Sequence, residues 1–258
     1  MGKKLIQITK IMKPGVVYTS QYLREKGYSS QLLAKYKDSG LIKSPHKGIY
    51  LLDGTDPTVY DLVYTLQAIM NKDAHISAQS ALSIKGITEQ LNMDTSPMTI
   101  QLNTTKAFKK PKWLKNIEMQ YGYSIHIRQS NLFDDKYCLI NQMEVQNRLL
   151  SISDIERAVF EMISDIKTSQ EFYQVENFFE SLPGLRQHQV KYLISNCKSI
   201  KVKRLMLYFS EKYLAAVFKE LDNMSIDMGK GIRTISDDTS NTKYIRKLGL
   251  IIPKQYDE

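Results

Sequence analysis

The chain has 258 residues, 42% of them hydrophobic and 24% charged, which is the make-up of a folded protein of one large or, more in keeping with the length, two domains, and excludes a disordered one. No apolar run approaches the roughly 18 residues of a membrane span, and the opening MGKKLIQITKIMKPG lacks a signal-peptide core, so a cytoplasmic protein is predicted. The net charge of +9 is local: residues 1–50 hold ten cations and two anions, or +8, leaving +1 for the other 208. Such asymmetry points to a polyanion-binding module, with a merely solvated basic face as the alternative.

In chain order, residues 4–12 read as a short helix stopped by Pro14 and Gly15. Thr19 or Ser20 then caps a helix that turns Tyr22 and Leu23 inward and ends at Gly27. Ser29 caps the next, with Leu32, Leu33 and Tyr36 on its apolar side and Gly40 as its stop. "LIKSPHKGIYLL" (41–52) follows as a hairpin. Helix, helix, helix, hairpin is the order of a winged helix-turn-helix, closed by the Asp-Gly-Thr-Asp-Pro stretch at 53–57.

Apolar spacing predicts helices over 58–70 and 77–85. Alternation over 98–103, 123–128 and 138–152 predicts a small antiparallel sheet, with KKPKWLK between its strands as a loop or short helix. Ser153 or Asp154 caps a helix carrying Ile155, Val159, Met162, Ile163 and Ile166, and two more follow around 171–181 and 185–196. Residues 202–221, apolar on more than one side, read as one long central helix. After it come a polar, glycine-containing segment and an extended LGLIIPKQ.

Catalytic constellations are not evident. His46, His75, His126 and His188 lie far apart, and no GxSxG or GxxxxGK[ST] occurs. MGKGIR (228–233) reads as a turn. Asp-x-Lys at 134–136 and at 165–167 is the one nuclease-like spacing, without identifiable partners for a metal. Cys138 and Cys197 stand alone and read as buried thiols. No enzyme, cofactor or metal is expected.

Recognition remains. The start of the second helix of a helix-turn-helix meets base edges while nearby cations hold phosphates. Here that start is Ser29, Ser30 and Gln31, the last able to bond adenine in a bidentate way, followed by Lys35 and Lys37. The hairpin turn brings Lys43, Ser44, His46 and Lys47 as a wing would. A winged helix used only for protein contacts is the competing reading, against which the local charge argues. A second cluster, Lys198, Lys201, Lys203 and Arg204, opens the long helix where the macrodipole disfavours cations. It reads either as a ligand site or as a solvated turn.

The opening module, "DLVYTLQAIMNKDAHISAQSALSIKGI", the run "SIKVKRLMLYFSEKY" and the closing "IDMGKGIRTI…LGLIIPKQY" together resemble the AbiEi-type antitoxins of abortive-infection, type IV toxin–antitoxin systems used in phage defence. The resemblance covers nearly the whole chain. It implies a repressor that binds inverted repeats in double-stranded DNA of its own promoter and neutralises a nucleotidyltransferase-like toxin, bound directly or opposed indirectly. It also implies that Ser29, Ser30, Gln31, Lys35 and the wing from Lys43 to Lys47 carry the first role. Lys198, Lys201, Lys203 and Arg204 would carry the second. "SDDTSNTKYIRK" (236–247) departs from the pattern and reads as an inserted polar loop.

The expected fold is therefore α+β: a winged helix-turn-helix over 1–57, then an antitoxin domain over 58–258 with a small antiparallel sheet around 98–152, a helical bundle and an extended tail. The chain is expected to be a monomer or weak dimer that pairs on DNA. A winged-helix regulator without an antitoxin role, or a DNA-binding nuclease, are the alternatives.

Overall fold

Side-chain hydroxyls and glycines punctuate the first elements. A computed structural model describes residues 2–87, 98–237 and 241–254, with side chains from residue 7 onward. Helix α1 (Gly2–Ile11) leads to strand β1 (Tyr18–Thr19), helices α2 (Ser20–Glu25) and α3 (Ser30–Asp38), and strands β2 (Ile42–Lys43) and β3 (Ile49–Leu52). Thr19 Oγ1 accepts from Tyr22 N at 3.2 Å and Ser29 Oγ from Leu32 N at 3.3 Å, each satisfying an amide that a helix start leaves unpaired. The three strands form an antiparallel sheet in the order β1-β3-β2. Ile8, Met12, Leu23, Tyr28, Leu33, Tyr36 and Ile42 form the core beneath it, as a winged helix requires.

That core also takes in Ile69, and Tyr64 packs against it. Helix α4 (Val59–Tyr64) is capped by a reciprocal Thr58–Asp61 box and widens into a π-helical turn over Thr65–Ile69. Asp61 also receives Arg148 Nε at 2.6 Å, while Arg148 Nη2 donates to the Pro14 carbonyl at 2.5 Å. Gly15 makes this junction possible: its φ is +77°, and a Cβ there would lie 2.6 Å from Asp61 Oδ2.

Beyond it lie β4 (Ala74–Ile76), α5 (Ala78–Ile84), β5 (Met98–Thr104), α6 (Lys112–Tyr121), β6 (Tyr123–Gln129), β7 (Ile140–Val145) and β8 (Arg148–Ser153). The sheet order is β6-β5-β4-β8-β7. Alternation in sequence identifies strands but not their direction, and only part of this sheet matches the antiparallel expectation. β4 and β5 are antiparallel, whereas β5 with β6 and β4 with β8 are parallel. The β5–β6 pairing is parallel because α6 carries the chain back between them, so KKPKWLK is part loop and part helix: residues 109–111 lead in and Lys112–Lys115 begin a ten-residue crossover helix.

By compactness, Met1–Ile76, Asn92–Gln129 and Gln142–Ile152 form one unit. The winged helix thus shares a unit with most of the five-stranded sheet, and this division does not fall at residue 57.

The second unit holds Ser77–Leu91, Ser130–Asn141 and Ser153–Glu258. Its helices are α5, α7 (Ile155–Asp165), α8 (Ser169–Ser181), α9 (Gln187–Asn196), α10 (Ile200–Tyr213) and α11 (Ala215–Asp222). Phe179 and Phe209 stack at 4.6 Å between α8 and α10. Buried Glu161 accepts from Ala78 N at 3.2 Å, Ser153 Oγ at 2.8 Å and Arg157 Nε at 2.9 Å, so this charge is fully engaged. Both cysteines are buried, and burial pushes the Cys197 thiol up to about 11.

Two expectations change here. The single helix over 202–221 is two, because Leu214 leaves helical geometry (φ −128°, ψ 64°). α10 then packs on α7 and α8 while α11 packs on α9. The polar stretch 236–247 is not all loop: β10 (Thr242–Ile245) pairs antiparallel with β11 (Leu250–Pro253) across a 3₁₀ turn (Arg246–Leu248), and β11 in turn runs parallel to β9 (Arg233–Thr234). Residues 238–240 of that stretch, and Gln255 of the expected tail, lie outside the described residues.

Candidate nucleic-acid interface

Helix α3 buries Leu33 and Tyr36, which sets what it presents outward. Gln31, Lys35 and Asp38 follow one another at helical spacing on the exposed side, with Ser30, Ala34 and Lys37 beside them. Ser29 is exposed, but its hydroxyl is engaged in capping. Lys35 and Lys37 stand in the last turn, where cations suit the helix dipole. Tyr36 points inward, its ring 6.5 Å from that of Tyr28. The expected recognition face is thus exposed as one surface, with Ser30, Gln31, Lys35 and Lys37 open to solvent.

The wing is less free. Lys43 and Leu51 are cross-strand partners and face α6, while Ile42 and Leu52 face the winged-helix core. Lys43, Pro45, Leu51 and Pro57 line a cleft closed on its other side by Ile117 and Tyr121 of α6. At its mouth Lys43 Nζ and Tyr121 Oη both donate to Asp56 Oδ1, at 2.9 and 2.7 Å. The Lys43 and Tyr121 bonds hold the Asp56 carboxyl below the usual carboxylate range. Burial first, and this hydrogen bond second, push the Tyr121 phenol up to about 12. The Asn116 side-chain amide lies 3.3 Å from His46 Nδ1, and Ser44 Oγ donates to the His46 carbonyl at 3.0 Å. Of the four wing residues expected to meet DNA, Lys47 is exposed; Lys43, Ser44 and His46 already have partners within the chain.

Sequence reasoning missed α6 as the wing's support. Its partners lie 65 and 70 residues apart along the chain, beyond the reach of any local pattern.

The profile of a family of transcriptional regulators described as AbiEi antitoxins of type IV toxin–antitoxin systems matches residues 98–253, and that of its N-terminal domain matches residues 1–93. The chain belongs to the AbiEi antitoxin family. No curated protein matches it. Among solved structures, the RV2827C protein from Mycobacterium tuberculosis is similar at a TM-score of 0.54 and 13% identity, over 92% of this chain and 86% of that one. At that identity the likeness concerns the fold.

In this AbiEi protein the second basic cluster does not form a surface. Arg204 is 3% exposed, and its guanidinium donates to the carbonyls of Met228, Gly231 and Gly249 at 2.6–3.0 Å. Burial lowers its pKa, and neighbouring Arg233 adds to this. Lys201 Nζ donates to the Ser164 and Ile166 carbonyls at 3.2 and 2.6 Å, at the C-terminal end of α7, where a cation suits both the dipole and the open carbonyls. Lys203 is 9% exposed. Lys198 alone of the four is exposed, and it pairs with Asp134 at 3.1 Å. Two of the cations that looked misplaced at a helix start, Lys201 and Arg204, serve the chain's own carbonyls. "KVKR" and "MGKG", two of the runs that carried the resemblance, are bonded to each other through Arg204.

No described helix is long and apolar enough to cross a membrane. Among the described residues, no group of three or more His, Cys, Asp or Glu side chains is placed to hold a metal ion.

Proposed function

We propose that this AbiEi protein is a cytoplasmic, non-catalytic antitoxin that represses its own promoter, reading inverted repeats with α3, and that it neutralises a nucleotidyltransferase-like toxin. The observation that carries the DNA-binding half is the exposed Ser30, Gln31, Lys35 and Lys37 face of a winged helix that lies in the segment holding nearly all of the chain's net charge. Gln31 is the base-reading residue and Lys35, Lys37 and Lys47 the phosphate anchors. Ser29 sets the helix start, while Lys43, Ser44 and His46 shape the wing. Each copy takes one half-site, so pairing occurs on DNA. Family membership supports the antitoxin half.

Within that half, Lys201, Lys203 and Arg204 are assigned to holding shape, and Lys198 is the member of the cluster left to meet a partner.

Cells carrying a reporter fused to the upstream region, together with the neighbouring toxin, test both halves. The full chain is expected to repress the reporter and restore growth. The Lys35→Glu, Lys37→Glu variant is expected to lose repression and keep growth rescue. Repression without rescue would reduce the protein to a regulator; rescue without repression would remove the promoter role.

A further inference from the structure

Residues 106–115, KAFKKPKWLK, hold five lysines and no acidic residue. Lys110 is turned to Glu118, which it meets at 2.7 Å, and Glu118 also accepts from Ile125 N. Lys106, Lys109, Lys112 and Lys115 are exposed. On α6 the buried side is Leu114, Ile117 and Glu118, so Lys112, Lys115, Asn116 and Met119 share the outer one. Asn116 is the residue that touches His46 in the wing turn. Lys112 therefore lies one helical turn, roughly 6 Å along the axis, from a wing contact, and Lys115 is its immediate neighbour. With Lys47 exposed in the same turn, the positive surface runs from the wing onto α6.

We infer that α6 and the loop before it form a third DNA-contacting element, in which Lys112 and Lys115, assisted by Lys109, bind the phosphate backbone beside the wing. This inference rests on the DNA-binding reading above. The occupant is duplex DNA because the run 106–115 carries five lysines and no carboxylate, adjoins the wing through the Asn116–His46 contact, and lacks the apolar centre of a protein interface. Met119, 85% exposed, is the one large apolar side chain on this side of α6. The contact carries no sequence information, because phosphates are alike at every base pair. It lengthens the footprint on the wing side of each half-site and steepens the salt dependence. The bonds at Asp56 and His46 fix α6 against the wing, so the lysines are held in register with α3 rather than on a free tail.

The test is the binding of the full chain to a labelled duplex from the region upstream of its reading frame, over a series of salt concentrations. Replacing Lys112 and Lys115 with Ala is expected to lower the slope of log K against log salt by about 1.8, at about 0.9 per lost phosphate contact. The preference for the upstream over a scrambled duplex should stay unchanged, and hydroxyl-radical protection should shorten on the wing side. Lys112→Arg with Lys115→Arg keeps the charge and should restore the wild-type slope. Equal slopes for the wild type and the alanine variant would overturn the inference while leaving the repressor intact. So would a slope that falls as much in the arginine variant, which would mark a structural role. Unchanged DNA binding with lost toxin neutralisation would assign the patch to a protein. A wild-type chain that binds neither duplex would overturn the repressor reading itself.

Discussion

Arg204 links a helix to two loops that are remote from it in sequence, through hydrogen bonds to carbonyls 24 to 45 residues away. Gly249 is shaped for it: its φ is +56°, and a Cβ would stand 2.9 Å from Arg204 Nη1. Removing the guanidinium leaves these carbonyls without their charged donor, at a cost of about 3 kcal/mol. Arg204→Ala is expected to lower Tm by roughly 6–12 °C, and Arg204→Lys to recover part of this, since a point charge cannot span the fork. Calorimetry checks it; an unchanged Tm for the alanine variant would return Arg204 to the list of partner-facing residues. The contrast with Ser29 shows what was legible at this scale. A cap is written within three residues, and Ser29 and Thr19 cap as spacing implies. A cation's orientation depends on which distant backbone closes over it, so the 198–204 cluster looked like a surface.

Hairpin β2–β3 is an element apolar on both faces, and that accounts for much of this fold. Tyr50 and Leu52 meet the winged-helix core, while Leu51 meets the cleft below α6. A fragment ending at residue 57 would lose the cover over Leu51 and the packing of Ile69 and Tyr64. At about 1.5–3 kcal/mol for each large apolar side chain, the loss is on the order of 5 kcal/mol, comparable with the whole stability of a domain that small. Residues 1–57 alone are therefore expected to lack a cooperative thermal transition by circular dichroism, whereas the full chain has one; a sharp transition in the fragment would show that α6 and the π-helical turn are dispensable. The same element explains what alternation left open. Period-two patterns located β5 and β6, and placed β7 and β8 within one run, 138–152, without the turn that divides them. Which strands pair, and in which direction, depends on α6 returning the chain, and three-residue β4 is too short to leave a pattern. The split between α10 and α11 was equally hidden, since no glycine or proline marks Leu214.

Across the whole molecule, charge divides along the chain. Residues 1–50 hold nearly all of the net charge, and the lysines of 106–115 add a second basic run in the same compact unit. The second unit is built around aromatic stacking and internally satisfied charges, and in its basic run Lys201 and Arg204 bond the chain's own carbonyls. Composition made the first part of this division visible; the second needed coordinates. The family assignment and the α+β class were within reach of the sequence because segment order and capping spacings are local properties. Base reading by Gln31 is the point on which the DNA-binding role turns, and fluorescence anisotropy on the upstream and a scrambled duplex measures it. The wild type is expected to prefer the upstream duplex, and Gln31→Ala to lose about 1–3 kcal/mol of that preference, with binding to the scrambled duplex little changed. Equal affinity of the wild type for both duplexes, or a full preference retained by Gln31→Ala, would contradict sequence reading by α3.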